Sequence, residues 1–216
     1  MAGQFITFEG GEGSGKSTQL VRIAARLRAR GIEPVITREP GGTPLAEAVR
    51  ALLLDRQEPL EPVAEAGLIE AARADLFARV IAPALAAGGT VLCDRHADST
   101  LAYQGYGRGL DLELLRSWNA AATRGRAPDI TLLFDIDPTH GIQRRAAAGA
   151  SNRIDREPLD FHRRVREGFL EIARGAPERF VILDASLPAD TIESRCWSMI
   201  EERLRRPGEP AEKPVI

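Results

Sequence analysis

The chain has 216 residues, of which 44% are hydrophobic and 28% charged, and its formal net charge is −2. This length suits a single α/β domain with its own core, and the near-neutral charge without a run of Lys and Arg argues against a nucleic acid partner. Cys93 and Cys196 are too few for a disulfide framework and lack metal-ligand spacing. They indicate free thiols in a reducing compartment, the cytoplasm.

The first motif runs from Gly10 to Ser17 and is a full match to the phosphate-binding loop G-x-x-x-x-G-K-[ST]. It follows an apolar run at residues 4–8, typical of a buried strand, and precedes a helical pattern near residues 17–30. Its glycines let backbone N–H groups surround phosphate oxygens, and the start of the helix adds a positive dipole. The loop therefore predicts a nucleoside triphosphate site rather than the alternative, a glycine-rich turn with an exposed lysine. In it, Lys16 reaches the phosphates and Ser17 binds Mg²⁺.

Further apolar runs continue an alternation of strands and helices along the chain. They predict strands at residues 34–37, 90–94, 130–135 and 180–184. Helical patterns lie near residues 44–54, 61–87, 111–123, 138–148, 157–175 and 188–206. The alternation predicts a doubly wound α/β fold: a five-stranded parallel sheet with helices on both faces.

We expect one domain over residues 1–206 and a proline-rich, disordered tail at 207–216. The longest uncharged stretch, residues 80–93, is too short to span a bilayer and is interrupted by proline and glycine. The chain does not begin with a charged and then apolar leader. We therefore expect neither membrane insertion nor secretion.

Polar residues follow several of the predicted strands, where ligands bind in open parallel sheets. Glu9 follows the first strand, Arg38 the second, and Asp94 and Arg95 lie at the end of the third. The arginines indicate a second anionic substrate opposite the triphosphate, because phosphoryl transfer between two anions requires positioned cations. A structural ion pair with Asp94 or Glu9 is the alternative role for Arg95.

An arginine also interrupts an apolar stripe of the helix at 61–87. Ile69, Arg73, Phe77 and Ile81 are spaced four residues apart and lie on one face. Burying a guanidinium group without a partner is costly. Arg73 must therefore meet either a carboxylate, as a structural ion pair, or an acceptor on a ligand.

Several longer segments resemble the bacterial thymidylate kinases. The segments that carry the resemblance are Phe8-Glu9-Gly10, Thr37-Arg38-Glu39-Pro40-Gly41-Gly42-Thr43, Ala71-Ala72-Arg73, Asp94-Arg95-His96 through Tyr103-Gln104, Tyr103 to Gly109, and Pro128-Asp129. The resemblance runs in order from residue 4 to about residue 204. It implies a P-loop kinase that transfers the γ-phosphoryl group of ATP to dTMP, giving dTDP and ADP, with Mg²⁺ as cofactor.

The resemblance also implies site residues. Those implied for ATP binding are Gly10, Gly11, Glu12, Gly13, Ser14, Gly15, Lys16, Ser17 and Thr18. Those implied for dTMP binding are Arg38, Ile69, Arg73, Arg95, Ser99, Thr100, Tyr103 and Gln104. Those implied for catalysis are Lys16, Arg95, Glu9 and Arg153, and those for the metal are Ser17 and Asp94.

Three of these assignments concern the base and sugar of the acceptor. By resemblance, Arg73 donates to the thymine O4 while Ser99 or Thr100 addresses the base edge. Ile69 stands where relatives usually carry an aromatic residue that stacks on the thymine. Tyr103 is implied to crowd the sugar 2′ carbon and so to disfavour a ribose, although a tyrosine of the core is an equal alternative.

The segment near residues 144–157 resembles the family's mobile lid. Small residues allow it to move, and its arginines can close on phosphates and exclude water. Ser14 occupies a loop position that is basic in some relatives, so the resemblance assigns the missing charge to Arg153, supported by Arg145 or Arg156. A solvated basic loop is the alternative.

The long helix at 61–87 carries a second apolar stripe, formed by Leu68, Ala72, Leu76 and Val80. One stripe is enough to cover the sheet, so the second predicts a homodimer through this helix and its neighbour at 111–123. The resemblance implies a dimer as well. The alternative is that smaller helices of the same subunit cover the second stripe.

Two other functions remain alternatives from the sequence. One is a P-loop kinase of other nucleotides or of deoxynucleosides, although the arginine set suits an acceptor that already carries a phosphate. The other is a non-catalytic nucleotide-binding switch, which lacks support because the chain contains no Asn-Lys-x-Asp guanine motif.

Overall fold

The computed structural model describes residues 3–55, 58, 60–149 and 152–204. One parallel sheet of five strands runs through this part of the chain, in the order β2-β3-β1-β4-β5. The strands are β1 (Gln4–Gly10), β2 (Val35–Arg38), β3 (Thr90–Asp94), β4 (Ile130–Asp135) and β5 (Phe180–Asp184). The predicted α/β fold is confirmed, and each strand lies within two residues of its predicted position.

Helices cover both faces of the sheet. Their bounds are α1 (Lys16–Ala29), α2 (Pro44–Leu54), α3 (Pro62–Leu76), α4 (Ala82–Ala86), α5 (Ala97–Thr100), α6 (Leu112–Thr123), α7 (Pro138–Ala147), α8 (Leu159–Gly175) and α9 (Ala189–Leu204). On one face, Ile6 and Phe8 pack in a cluster with residues of α1 and α9. On the other face, Phe5 packs with residues of α3, and Leu133 with residues of α8. None of the helices in these ranges is both long and apolar enough to cross a membrane.

The helix predicted at 61–87 is interrupted by a wider turn. A π-helical segment, Phe77–Ile81, joins α3 to α4, and the N–H of Ala82 bonds to the carbonyl of Phe77. Pro83 follows directly and lacks the N–H that an α-helix would use at that position. The wider turn therefore lies where the regular hydrogen-bond pattern could not continue.

The sequence analysis assigned no helix at residues 97–107, but α5 and a π-helical segment, Leu101–Gly107, lie there. Two glycines lower the helical propensity of this stretch. Neighbouring side chains pack closely against them: a Cβ on Gly105 would lie 2.4 Å from Leu112 Cδ2, and one on Gly107 would lie 2.7 Å from Phe161 Cε2. Tertiary contacts thus outweigh local propensity here.

The second apolar stripe of α3 is covered within the chain. Leu68 and Ala72 pack with Ala46, Val49 and Leu53 of α2. The remaining two stripe residues belong to the cluster between the long helix and the sheet, Leu76 within it and Val80 against it. The inference that this stripe requires a partner subunit is therefore wrong, and the alternative from the same subunit holds.

Two predicted segments lie partly or wholly outside the described residues. The segment at 144–157 leaves the end of α7 and includes a short 3-10 turn, Ile154–Arg156, but residues 150 and 151 are not described. The tail at 207–216 is outside the described residues altogether. The mobility of the first segment and the disorder of the second stay predictions.

Candidate active site

The phosphate-binding loop joins β1 to α1 and is shaped by its glycines. Gly10, Gly13 and Gly15 have φ angles of 141°, 67° and 87°, which residues with a Cβ rarely adopt. The Lys16 ammonium group lies across the loop and donates to the carbonyls of Gly10 (3.0 Å) and Gly11 (2.7 Å). Burial and the nearby positive charge of Arg95 lower the pKa of Lys16 to about 8. The loop therefore presents a cation that no carboxylate among the described residues pairs with directly.

Arg95 lies at the end of β3 in a backbone conformation that is rare outside glycine, with φ at 68°. Its guanidinium group donates to the Gly10 carbonyl (2.9 Å) and to the Glu12 carboxylate (2.5 Å), and it lies over the Tyr103 ring. A non-glycine residue in this conformation costs about 1 to 3 kcal/mol and is concentrated at functional sites. In this conformation the guanidinium group contacts the phosphate loop at both Gly10 and Glu12.

Glu12 is the acidic centre of the loop. Its carboxylate accepts hydrogen bonds from Arg95 and from the Tyr103 hydroxyl (2.9 Å), and Arg145 Nε lies 3.6 Å from it. Burial alone would raise the pKa of Glu12, but Arg95, Lys16 and Arg145 together lower it to about 2. The ionised carboxylate therefore gathers three cations around the loop.

Ser17 and Asp94 form the oxygen pair that the sequence assigns to a metal. The Ser17 hydroxyl donates to Asp94 Oδ2 across the gap between α1 and β3. A hydroxyl and a carboxylate are hard oxygen donors, which Mg²⁺ prefers, and both side chains line the cavity described below. The donor set fits Mg²⁺.

Glu9 does not lie where the sequence places it. Its side chain is fully buried behind the cavity, whose lining does not include it. It accepts hydrogen bonds from the His96 N–H (2.7 Å) and the Ser99 hydroxyl (2.6 Å). Burial and the neighbouring Asp98 raise the pKa of Glu9 to about 8. Glu9 therefore fixes the segment that follows β3 rather than facing a ligand directly.

Arg73 is surrounded by acceptors and is 1% exposed. Its guanidinium group donates to Glu39 Oε2 (2.8 Å) and Glu70 Oε1 (2.5 Å), and to the oxygens of Thr100 (2.9 Å) and Asn119 (2.7 Å). The structural ion pair that the sequence left open is therefore present. Arg73 also lines the cavity, where it can meet a ligand while its carboxylate partners hold it in place.

Two of the four arginines in the segment near 144–157, Arg153 and Arg145, point to different places. Arg153 is 7% exposed and donates to the Leu53 carbonyl (2.9 Å) and to Glu65 Oε2 (2.5 Å). Arg145 pairs with Asp155 and lies near Glu12 of the phosphate loop. Arg153 thus contacts α2 and α3, whereas Arg145 approaches the loop.

One cavity of about 400 Å³ joins these groups. The predicted site residues that line it are Glu12, Gly13, Ser14, Gly15, Lys16, Ser17, Thr18, Arg38, Ile69, Arg73, Asp94, Arg95, Ser99, Thr100, Tyr103, Gln104 and Arg153. Gly10 and Gly11 contribute carbonyls to Lys16 from beneath it. The cavity extends from the phosphate loop at one end to Ile69 and Arg73 at the other. It is therefore continuous between the two groups of predicted site residues.

The sequence analysis missed several residues of the cavity wall. Arg50 donates to the Pro40 carbonyl (2.9 Å), and burial together with the nearby Arg38 lowers its pKa. Arg38 itself is paired with Glu47. Glu65 accepts from Arg153 and Gln104. Its position offered a signal, because it lies eight residues before Arg73 on the same face of α3.

Comparisons with known proteins agree over most of the chain. A family model described as thymidylate kinase matches residues 8–196. The chain is 53% identical over 201 residues to the thymidylate kinase of Deinococcus radiodurans, covering 93% of this chain and 98% of that protein. It is 53% identical over 212 residues to that of Desulfovibrio desulfuricans, covering 94% and 98%. The crystal structure of the thymidylate kinase from Ehrlichia chaffeensis has a TM-score of 0.76 at 34% identity, covering 93% of this chain and 99% of that one.

Proposed function

The chain belongs to the thymidylate kinase family and phosphorylates dTMP to dTDP with ATP, and we propose how its residues divide this work. ATP binds with its phosphates on the loop from Gly10 to Thr18. The base of dTMP binds at the other end of the cavity, near Ile69 and Arg73. The observation that carries this proposal is the single cavity that runs from the phosphate loop to Arg73.

Charge stabilisation at the phosphoryl group falls to Lys16 and Arg95. Lys16 lies on the carbonyls of the loop, and Arg95 lies between the loop and Tyr103. Phosphoryl transfer gains most from cations fixed before the reaction, because negative charge spreads over the equatorial oxygens of the transferred group. Arg95 spans the dTMP phosphate and the transferred group, and Arg38 supplies a further contact to the dTMP phosphate, with Arg50 beside it.

The base and sugar of dTMP meet the wall formed by α3 and the segment after β3. Arg73 donates to the thymine O4, held in place by Glu39 and Glu70. Ser99, Thr100 and Gln104 line the same wall and are placed to address the polar edge of the base. Ile69 packs on the ring, and Tyr103 excludes a ribose 2′ hydroxyl.

Mg²⁺ is held by the Ser17 hydroxyl and the Asp94 carboxylate. The hydrogen bond between these two side chains brings the donors together at the phosphate loop. When bound, the metal neutralises charge on the phosphate oxygens. Lys16 and Arg95 hold the phosphates from the other directions, so the residues of the chain orient the donor and acceptor in line.

Glu9 positions other residues of the site. The hydrogen bonds that it accepts fix Ser99 and the backbone after Arg95. Arg153, by contrast, lies in the segment near 144–157. When the segment moves as a lid, Arg153 adds positive charge to the phosphates. This movement requires Arg153 to leave Glu65. Arg153→Ala is expected to lower the melting temperature more than Arg156→Ala does, because Arg153 is buried whereas Arg156 is exposed.

We propose that the enzyme forms a homodimer. Its interface lies outside the apolar stripe of α3, which is covered within the chain. Large apolar side chains are exposed on neighbouring helices: Leu45 and Leu52 on α2, Val63 on α3 and Leu114 on α6. We expect two copies to pair about a twofold axis through these helices, which would remove exposed apolar side chains from water. Light scattering is expected to give twice the 23.5 kDa of the chain. A stable mass at the monomer value contradicts the dimer.

We also propose that the enzyme works in the cytoplasm. Cys93 and Cys196 are both buried, unpaired thiols. Unpaired cysteines suit a reducing compartment. Fractionation of the source cells with an activity assay tests this placement.

The division of the cavity is tested with a panel of nucleoside monophosphates in an ADP-release assay. We expect dTMP to be the preferred acceptor, because the thymine methyl group fills apolar space near Ile69. The ratio of kcat/KM for dTMP to that for dUMP should correspond to a difference of about 1 to 3 kcal/mol in activation free energy. Equal efficiency with AMP or GMP contradicts the proposed base site. The variant Ile69→Phe supplies the aromatic ring that relatives usually carry and is expected to lower the KM for dTMP.

A further inference from the structure

Helix α7 lies against the phosphate loop with no side chain between them. A Cβ on Gly13 would lie 1.9 Å from the Gly141 carbonyl oxygen, and a Cβ on Gly141 would lie 2.2 Å from the Glu12 carbonyl oxygen. Side-chain Cβ atoms essentially never approach other heavy atoms closer than 3.0 Å. The contact between loop and helix therefore requires glycine on both sides.

The same face of α7 carries Arg145. Gly141 and Arg145 are four residues apart in one helix, which places them next to each other along its axis. Arg145 Nε lies 3.6 Å from the Glu12 carboxylate. Glu12 is thus contacted by α7 twice, at its carbonyl by Gly141 and at its carboxylate by Arg145.

Helix α7 is tied to the sheet through the chain at one end and through a hydrogen bond near the other. It begins two residues after β4, and the Asp137 carboxylate caps its first turn by accepting from the Thr139 N–H (2.9 Å). Near its other end, Arg144 donates to the Ala185 carbonyl after β5 (2.8 Å). Between these points, the close contact at Gly141 decides how near the helix and the loop lie.

We propose that Gly141 is a positioning residue for phosphoryl transfer, because its missing side chain sets the spacing at which Arg145 reaches the triphosphate site. This inference rests on the ATP site proposed above and adds to it the helix that holds the loop. A Cβ at this position forces the loop and the helix apart. A displacement of about 1 Å at an active site can reduce the rate roughly a hundredfold.

The test compares Gly141→Ala with two matched glycine variants. Gly67 in α3 has open space around a Cβ, and Gly168 in α8 would place one 2.6 Å from the Tyr106 ring. Gly141→Ala is expected to lower kcat/KM for ATP by about 10- to 100-fold while the KM for dTMP changes less than about twofold. Gly67→Ala is expected to match the wild type, and Gly168→Ala to lower the melting temperature without this loss for ATP.

A double-variant cycle tests the route through Arg145. In an Arg145→Ala background, Gly141→Ala is expected to cost less than about threefold in kcat/KM for ATP, because the arginine that it positions is gone. If Gly141→Ala lowers kcat/KM for ATP as much in that background as in the wild type, Gly141 does not act through Arg145. If Gly141→Ala does not fold, Arg145→Ala alone decides: a native melting temperature with at least about a tenfold loss for ATP supports the proposal, and unchanged ATP kinetics overturn it.

The outcomes for the inference and for the ATP site are distinct. A wild-type protein without dTMP kinase activity contradicts the proposed function itself. An active wild type together with a Gly141→Ala variant of unchanged ATP kinetics contradicts only the role of Gly141.

Discussion

The two ends of the cavity are built from contacts of very different range. At the phosphate loop, Lys16 reaches carbonyls no more than six residues away in the chain. At the other end, Arg73 meets Glu39, which lies 34 residues away, and Arg153 meets the Leu53 carbonyl, which lies 100 residues away. The position of Lys16 is therefore encoded by a short motif, whereas Arg73 and Arg153, like Arg95 beside the loop, reach their positions only when the whole domain has folded.

The two ends also differ in how their cations are balanced. Lys16 is held by neutral carbonyls, and burial and Arg95 lower its pKa to about 8. Arg73 is held by two buried carboxylates, Glu39 and Glu70. The charge of Lys16 is thus available to an incoming anion, whereas that of Arg73 is already neutralised. Removing Lys16 should affect activity alone, whereas removing Arg73 should affect stability as well.

The largest expected effect is on stability, at the base end. Arg73→Ala leaves Glu39 and Glu70 buried without their cation, and breaking a buried ion pair in this way costs about 3 to 5 kcal/mol. Denaturant unfolding measures this loss. Arg79→Ala is the matched control, because Arg79 lies in the turn that continues the same helix, its side chain is 72% exposed although it pairs with Asp75, and its loss should change stability by less than about 1 kcal/mol. Equal stability of both variants would mean that the two ends do not differ in this way.

The next effect is on turnover, at the phosphate end. Lys16→Ala and Arg95→Ala are each expected to lower kcat at least about a hundredfold, as the loss of a preorganised electrostatic group does. Lys16→Ala should keep or raise the melting temperature, since burial opposes the charge of Lys16. Steady-state kinetics and thermal melting on the same samples decide. Near-native turnover in either variant, with unchanged melting, shows that the residue lacks its proposed role.

The sequence predicted what local patterns determine. The phosphate loop followed from eight consecutive residues and the fold from the alternation of apolar runs. The apolar stripe around Arg73 correctly required a buried partner for that arginine, but the choice of Glu39 and Glu70 did not follow. Glu39 lies on a loop after β2, and its distance from Arg73 depends on how β2 packs beside α3.

The misses have the same physical origin. Glu9 lies at the carboxyl end of β1, close to its predicted place, yet whether its side chain enters the cavity depends on residues 90 positions away, such as Ser99. The helix at 97–107 forms because Leu112 and Phe161 pack against its glycines, although its propensity is low. Arg153 was assigned to the phosphates from resemblance, and its bond to Glu65 required the fold.

The smallest expected effect is a pH dependence that belongs to the loop end alone. Because the pKa of Lys16 is lowered to about 8, a growing share of the free enzyme carries a neutral amine as the pH rises above 8. ATP binding needs the ammonium form, so kcat/KM for ATP should be constant well below pH 8, begin to decline as the pH approaches 8 and fall above it by up to about tenfold per pH unit. Glu9 also has a pKa of about 8, raised by burial and Asp98, so the source of the decline must be separated. Glu9→Gln removes that titration while its amide can still bond to Ser99. The decline in kcat/KM should persist in Glu9→Gln, because Lys16 is unchanged. If the decline disappears in this variant, the titrating group is Glu9. A flat profile in the wild type would show that Lys16 keeps its charge.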